Sequence, residues 1–154
     1  LQRWTHSWRP TSTPSASMPR RRPNASAEPP LAPAWRSRDG ASQLFCTDQQ
    51  TLLASLPAES VDCIWTDPPY FLSNDGYTCV AGKRRKVNKG EWDRSAGLAQ
   101  DHAFNRAWLE ACWRVLKPTG TLWVSGTTHV YLSVGMAMLE LGFRILNDIV
   151  WEKP

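Results

Sequence analysis

Cysteine is scarce in this 154-residue chain and carries no pattern: Cys46, Cys63, Cys79 and Cys112 form no CxxC pair, and structural zinc needs closer ligand spacing. No metal site is expected. Reduced, mostly buried thiols of a cytoplasmic protein are the economical reading. Long apolar runs are missing too. No stretch approaches the roughly 18 apolar residues of a membrane-spanning helix, and the Arg- and Pro-rich start has no apolar h-region of a secretory signal. The first forty residues lack any periodic apolar pattern. They hold 7 of the 12 prolines and the run Arg20-Arg21-Arg22, so they cannot bury enough surface to offset their ordering entropy. Residues 1–40 are expected to be a disordered basic tail. They carry 7 Lys+Arg against 2 Asp+Glu, whereas the remaining 114 residues carry 11 against 12. The net charge of +4 therefore belongs to the tail, and charge alone does not make the rest a nucleic-acid binder.

From Ala41 onward, strand-like and helix-like segments alternate. Gln43–Cys46 reads as a short strand, and Asp48 is placed to cap a helix over residues 49–56 that Pro57 closes. Val61–Trp65 is a near-continuous apolar run of the kind buried on both faces of a sheet. The polar stretch 72–97 reads as one long loop. Phe104, Trp108, Ala111, Cys112, Val115 and Leu116 recur at helical spacing, stopped by Lys117-Pro118-Thr119-Gly120. A strand at 121–125, a helix with Val130, Val134, Ala137, Met138 and Leu141 on one face, and a last strand at 143–151 complete the order. This alternation predicts an α/β fold with a parallel sheet. Trp108, Trp113, Trp123 and Trp151 fall in periodic apolar segments and are assigned to the core. Trp92, in the polar loop, has no such assignment.

In parallel sheets ligands bind outside the carboxyl ends of the strands. Those ends here read Thr47-Asp48, Asp67-Pro68-Pro69-Tyr70 and Ser125-Gly126-Thr127-Thr128-His129. Two consecutive prolines fix two backbone angles and remove two donors, leaving the Asp67 carboxylate and the Pro68 carbonyl as fixed acceptors. Two such acceptors suit the two N–H bonds of an exocyclic amine on a nucleobase, and the Tyr70 ring can stack on the base. Pulling both N–H bonds out of the ring plane favours the tetrahedral nitrogen that an attacking amine becomes. Asp67 as a simple turn former, Asp48 as a helix cap only, Phe71 as a core aromatic and His129 as a structural histidine are the plain alternatives.

The blocks "VDCIWTDPPYFLSNDG", "VNKGEWDRS", "FNRAWLEACWRVLKPTGTLWVSGTTHVYLSVGMAMLELGF" and "ILNDIVWEKP" together resemble the catalytic half of β-class amino DNA methyltransferases, especially the adenine enzymes of restriction-modification systems. The resemblance covers residues 43–154 and implies a Rossmann-like fold that binds S-adenosylmethionine and acts on DNA, with a homodimer as a further partner state. It implies that Asp67, Pro68, Pro69 and Tyr70 hold the target amine, and that Asp48, with Asp67, contacts the cofactor. Tyr70, Phe71 and the run Lys83, Arg84, Arg85 and Lys86 are expected to meet the DNA. An Asp at the first motif position resembles adenine enzymes more than cytosine ones; methylation of the cytosine 4-amino group and a catalytically silent nucleic-acid-binding fragment are the competing readings. The family's glycine-rich FxGxG cofactor loop and its recognition region do not occur here. Residues 41–154 are accordingly expected to be the catalytic part of a longer domain.

Overall fold

Short local bonds, which composition does not register, open the described part of the chain. A computed structural model describes residues 31–73, 77–80 and 82–152. Strand β1 (Trp35–Arg36) pairs antiparallel with β2 (Gln43–Leu44), Trp35 opposite Leu44 and Arg36 opposite Gln43. Asp39 closes the turn between them: its Oδ1 accepts from Ser37 Oγ at 2.6 Å and from the Ala41 N–H at 3.0 Å, and Gly40 takes a φ of 73°. This corrects two expectations. The unstructured tail was placed up to residue 40, yet its last residues form half of this ribbon; residues 1–30 lie outside the described residues. The strand at Gln43 was assigned to the main parallel sheet and is instead in a sheet of its own.

Helix α1 (Gln49–Ser55) starts where expected, because Asp48 accepts from the Thr51 N–H through Oδ1 at 2.9 Å and from Thr51 Oγ1 through Oδ2 at 2.6 Å. Strand β3 (Val61–Thr66) leads into the site. The long loop expected at 72–97 is only partly a loop. Strands β4 (Tyr77–Val80) and β5 (Lys83–Lys86) form an antiparallel hairpin, and the guanidinium of Arg84 sits 3.8 Å above the Tyr77 ring. A single 3-10 turn, Glu91–Asp93, follows.

Helix α2 (Leu98–Val115) and helix α3 (Thr128–Glu140) bury most of the face that the sequence spacing marks, although Phe104 is 43% exposed and Leu116 already belongs to the following strand. Trp108, Leu109, Cys112, Val130, Val134 and Ala137 form the core cluster, with Ile64, Leu122 and Val124 of the sheet packed against it. Strand β6 (Leu116–Val124) runs parallel to β3, pairing Val61 with Leu116 and then Cys63 with Thr121. Lys117-Pro118-Thr119-Gly120, expected as a turn, is therefore an outward bulge within the strand. A side chain at Gly120 would meet the carbonyls of Lys117 and Val61, each 3.1 Å from the added carbon, so a larger residue would have to push its neighbours back by a few tenths of an ångström.

Because successive strand residues point to opposite faces, Trp65 and Trp123 lie on the side of the sheet away from α2 and α3. Their rings stack at 5.7 Å with an interplanar angle of 13°. Trp123 is 42% and Trp151 85% exposed, so the core assignment of these two is overturned. The last expected strand fails as well: 143–151 has no regular structure, because no strand pairs with it among the described residues, and the Phe143 N–H instead donates to the Met138 carbonyl at the end of α3 at 2.9 Å. Among those residues, no helix is long and apolar enough to cross a membrane.

The thiols also differ from expectation. Cys46 and Cys63 are exposed and only Cys112 is buried, its pKa pushed up to about 11 by desolvation. The side chain of Cys79 lies outside the description. In the native protein at pH 8, iodoacetamide is expected to modify Cys46 and Cys63 and to leave Cys112 unlabelled until urea is added; peptide mass spectrometry reads the result, and rapid native labelling of Cys112 would contradict its place in the core.

Candidate active site

The register of β3 against β6 sets Thr66 opposite Val124, so the residues that follow, Asp67 and Ser125, emerge side by side at the carboxyl edge. The Ser125 N–H donates to the Thr66 carbonyl at 3.0 Å and extends the ladder by one bond. Ser125 Oγ then donates to Asp67 Oδ1 at 2.5 Å, and the Tyr70 phenol donates to the same oxygen at 2.5 Å. Both donors converge on Oδ1. Asp67 Oδ2 accepts no hydrogen bond among the described residues, and the Asp67 side chain is exposed.

This arrangement fixes protonation as well as position. The hydrogen bond from Ser125, then that from Tyr70, then the positive charge of Lys89 hold the Asp67 carboxyl below its usual value against a partial desolvation. The Tyr70 phenol is pushed up, first by desolvation and then by its bond to Asp67, which Ser125 partly offsets. An ionised acceptor and a protonated donor thus share one oxygen. The Lys89 ammonium stands 5.2 Å from the centre of the Tyr70 ring.

The turn that carries these groups is held from beneath. Asp93 is fully buried; its Oδ1 accepts from the backbone N–H groups of Tyr70 at 3.0 Å and Phe71 at 2.9 Å, and its Oδ2 accepts from Ser73 Oγ at 2.7 Å. Ser73 returns its backbone N–H to the Asp93 carbonyl at 3.1 Å, and its Oγ accepts from the Lys89 N–H at 2.9 Å. Phe71 has a φ of 55°, a conformation unusual for a residue with a side chain, and its ring meets Phe104 edge-on at 5.8 Å. Pro68 is buried and Pro69 half-buried beside it. Trp92 is 61% exposed and lies along Gly90, whose φ is 122°; a β-carbon at Gly90 would stand 3.1 Å from its indole nitrogen.

Beyond Tyr70 and Phe71 a cleft of about 170 Å³ is completed by Leu98, Asp101, His129 and Ser133. From Ser133 a polar chain runs between α2 and α3: Ser133 Oγ accepts from Asn105 Nδ2 at 3.1 Å and lies 3.1 Å from His102 Nδ1, and Asn105 Oδ1 accepts from the Trp108 indole at 3.1 Å. Thr127, between Ser125 and α3, has a buried Oγ1 with no hydrogen-bond partner among the described residues.

Of the residues selected from sequence, Asp67, Pro68, Pro69, Tyr70 and Phe71 come together in one turn, and His129 reaches the same cleft. Asp48 follows a strand of the separate ribbon and caps α1, both of its oxygens accepting from Thr51. Lys83, Arg84, Arg85 and Lys86 lie on the hairpin and are exposed. Sequence reasoning missed Lys89 and Asp93 as members of the site; it placed Ser125 at the ligand-binding strand end but gave it no partner. Asp93 and Lys89 stand in a quoted motif block, but nothing in the block marks which polar residue turns inward.

A family model described as DNA methylase (N6_N4_Mtase) matches residues 61–154. Over 110 residues the chain is 48% identical to the type II methyltransferase M2.LlaDCHI of Lactococcus lactis subsp. cremoris and 46% identical to the type II methyltransferase M2.DpnII of Streptococcus pneumoniae, each match covering 71% of this chain and 41% of the relative. It is 40% identical over 124 residues to the type II methyltransferase M2.MboI of Moraxella bovis, covering 80% of this chain and 45% of the relative. The chain therefore spans less than half the length of these curated relatives.

Proposed function

Because this chain belongs to the DNA methylase family whose model matches residues 61–154, we propose that it is the catalytic part of an enzyme that methylates the 6-amino group of adenine in DNA, with S-adenosylmethionine as donor, on a Rossmann-like fold. Residues 41–154 carry that part, with the strand Trp35–Arg36 attached to its start. The observation that carries the reading is the division of labour on Asp67: Oδ1 is fixed by Tyr70 and Ser125, while Oδ2 is left for substrate.

An adenine swung out of the duplex presents two amine N–H bonds. Asp67 Oδ2 accepts one and the carbonyl of Pro68, which accepts no hydrogen bond among the described residues, accepts the other. Held by two acceptors, the nitrogen gains tetrahedral character and its lone pair leaves conjugation with the ring. The Tyr70 ring stacks on the base once Lys89 moves aside, and the Phe71 ring borders the same cleft. Held ionised by its bonds from Ser125 and Tyr70, Asp67 orients the amine as an acceptor, and the proton that nitrogen loses on methylation leaves to solvent along one of the two hydrogen bonds. Lys83, Arg84, Arg85 and Lys86 project from an exposed strand and meet backbone phosphates, which fix position without reading sequence.

The carboxyl edge fits S-adenosylmethionine through the unpartnered hydroxyl of Thr127 and the ionised Asp67, a donor and an anion suited to a hydroxyl-rich cation. When bound, the cofactor supplies the methyl group. Asp48, exposed and with one lone pair left on each oxygen, is assigned to its adenosyl part. Mass spectrometry of DNA treated with the full-length enzyme is expected to show N6-methyladenine. A product confined to N4-methylcytosine would transfer the same geometry to the other amine, and unmodified DNA would remove the proposal.

A further inference from the structure

The structure assigns to Asp93 the role of positioning residue for the catalytic turn, a role that rests on the proposed function for its kinetic meaning and on geometry alone for its existence. Residues 67–71 contain two prolines, which donate no backbone hydrogen bonds, and a φ of 55° at Phe71, so the turn cannot hold itself through an ordinary ladder. The two N–H groups that follow the prolines, of Tyr70 and Phe71, point inward and both end on Asp93 Oδ1 at 3.0 and 2.9 Å. Those bonds orient the backbone from which the Tyr70 phenol reaches Asp67 Oδ1. Asp93 is fully buried and touches neither the Asp67 side chain nor the open edge; it acts through Tyr70. Its second oxygen is occupied by Ser73, and Ser73 Oγ is in turn held by the Lys89 N–H, which anchors the chain that carries the ammonium over the Tyr70 ring. One side chain therefore sets the acceptor, the stacking ring and the cation together.

The test is Asp93→Asn in the full-length enzyme, an isosteric change that keeps the packing but weakens the acceptor and faces Ser73 with an amide in place of an oxygen. Three measurements are made together: single-turnover methyl transfer, KM for DNA, and hydrogen exchange of the Tyr70 and Phe71 amides. The expected result is a rate lower by about tenfold to a hundredfold, the scale of cost of about 1 Å of misplacement at a reacting centre. KM should stay within about threefold, since phosphate contacts are made elsewhere, and the two amides should exchange faster while those of α2 do not. Ser73→Ala, which leaves both Oδ1 bonds in place, is expected to lower the rate less and to spare the Tyr70 amide. Wild-type turnover in Asp93→Asn overturns the assignment, as does unchanged exchange at Tyr70 and Phe71. The exchange arm needs no activity, so a wild-type enzyme without methyl transfer would defeat the proposed function while leaving the positioning role to be decided by the amides.

Discussion

Asp67→Ala is expected to slow methyl transfer by about a hundredfold to a thousandfold, the range found when one preorganised polar partner of a transition state is removed. DNA affinity should change little, because the exposed basic residues of the Lys83–Lys86 strand are untouched. Two acceptors hold the amine in the proposed geometry, and alanine removes one of them. It also deprives Tyr70 and Ser125 of their shared acceptor, leaving the 3.3 Å bond from the Tyr70 phenol to Ser125 Oγ and the 3.3 Å bond from Ser125 Oγ to the Thr66 carbonyl. Asp67→Asn should be nearly as slow, since its amide turns a donor toward a donor if Oδ1 keeps its two bonds. The sign of the pH dependence follows from the depressed pKa. The carboxylate is fully formed above its usual 3.8, and turnover, with whatever stability its hydrogen bonds contribute, is lost as pH falls through the lower folded value. Single-turnover kinetics beside a gel-shift titration check both parts; a normal rate in Asp67→Ala would refute the assignment.

Trp108→Ala should carry the largest stability effect. The side chain is 1% exposed, belongs to the core cluster between α2 and α3, and donates its indole N–H to Asn105, itself fully buried. Removing a buried tryptophan costs about 3–5 kcal/mol, and Asn105 Oδ1 is left without its donor, which adds to the penalty. Set against a typical total stability of about 5–15 kcal/mol, the variant should be close to unfolding in water. Leu132→Ala on α3, at a position 69% exposed, should change stability by no more than about 0.5 kcal/mol. Urea unfolding of both variants decides the matter: equal midpoints would mean that the helix pair does not form the core described above.

The helix pair was legible because burial repeats at helical spacing: Trp108, Cys112, Val115, Val130, Val134 and Ala137 are all buried where the pattern puts them. The turn at Asp67–Tyr70 was legible as a candidate site because two prolines between a carboxylate and a phenol stand out at a strand end. What escaped depends on interactions that leave no periodic trace. The ribbon at Trp35 is held by an Asp-Gly turn of six residues, too short for any periodicity to register. The hairpin pairs Tyr77 with Lys86 and Val80 with Lys83, and four basic residues in a row read as a loop because strands are usually recognised by their apolar face. The partnership of Asp93 with Tyr70 spans 23 positions and uses backbone donors that every residue but proline possesses, so its side chain alone gave no sign of its target. The apolar residues of 143–151 suggested a strand, yet such a segment forms one only where a neighbouring strand takes its backbone bonds, and none pairs with it among the described residues.

The bonds between Ser73 and Asp93 and between Lys89 and Ser73 knot the chain on either side of the basic hairpin. The hairpin is consequently an exchangeable cassette. With its two ends already tied, lengthening it costs only about 0.6 kcal/mol for each doubling of the loop, and such a change need not reach the residues that do the chemistry. Grafts between residues 77 and 86 are expected to remodel the surface proposed to meet the duplex while the corner at Asp67–Tyr70 keeps its shape.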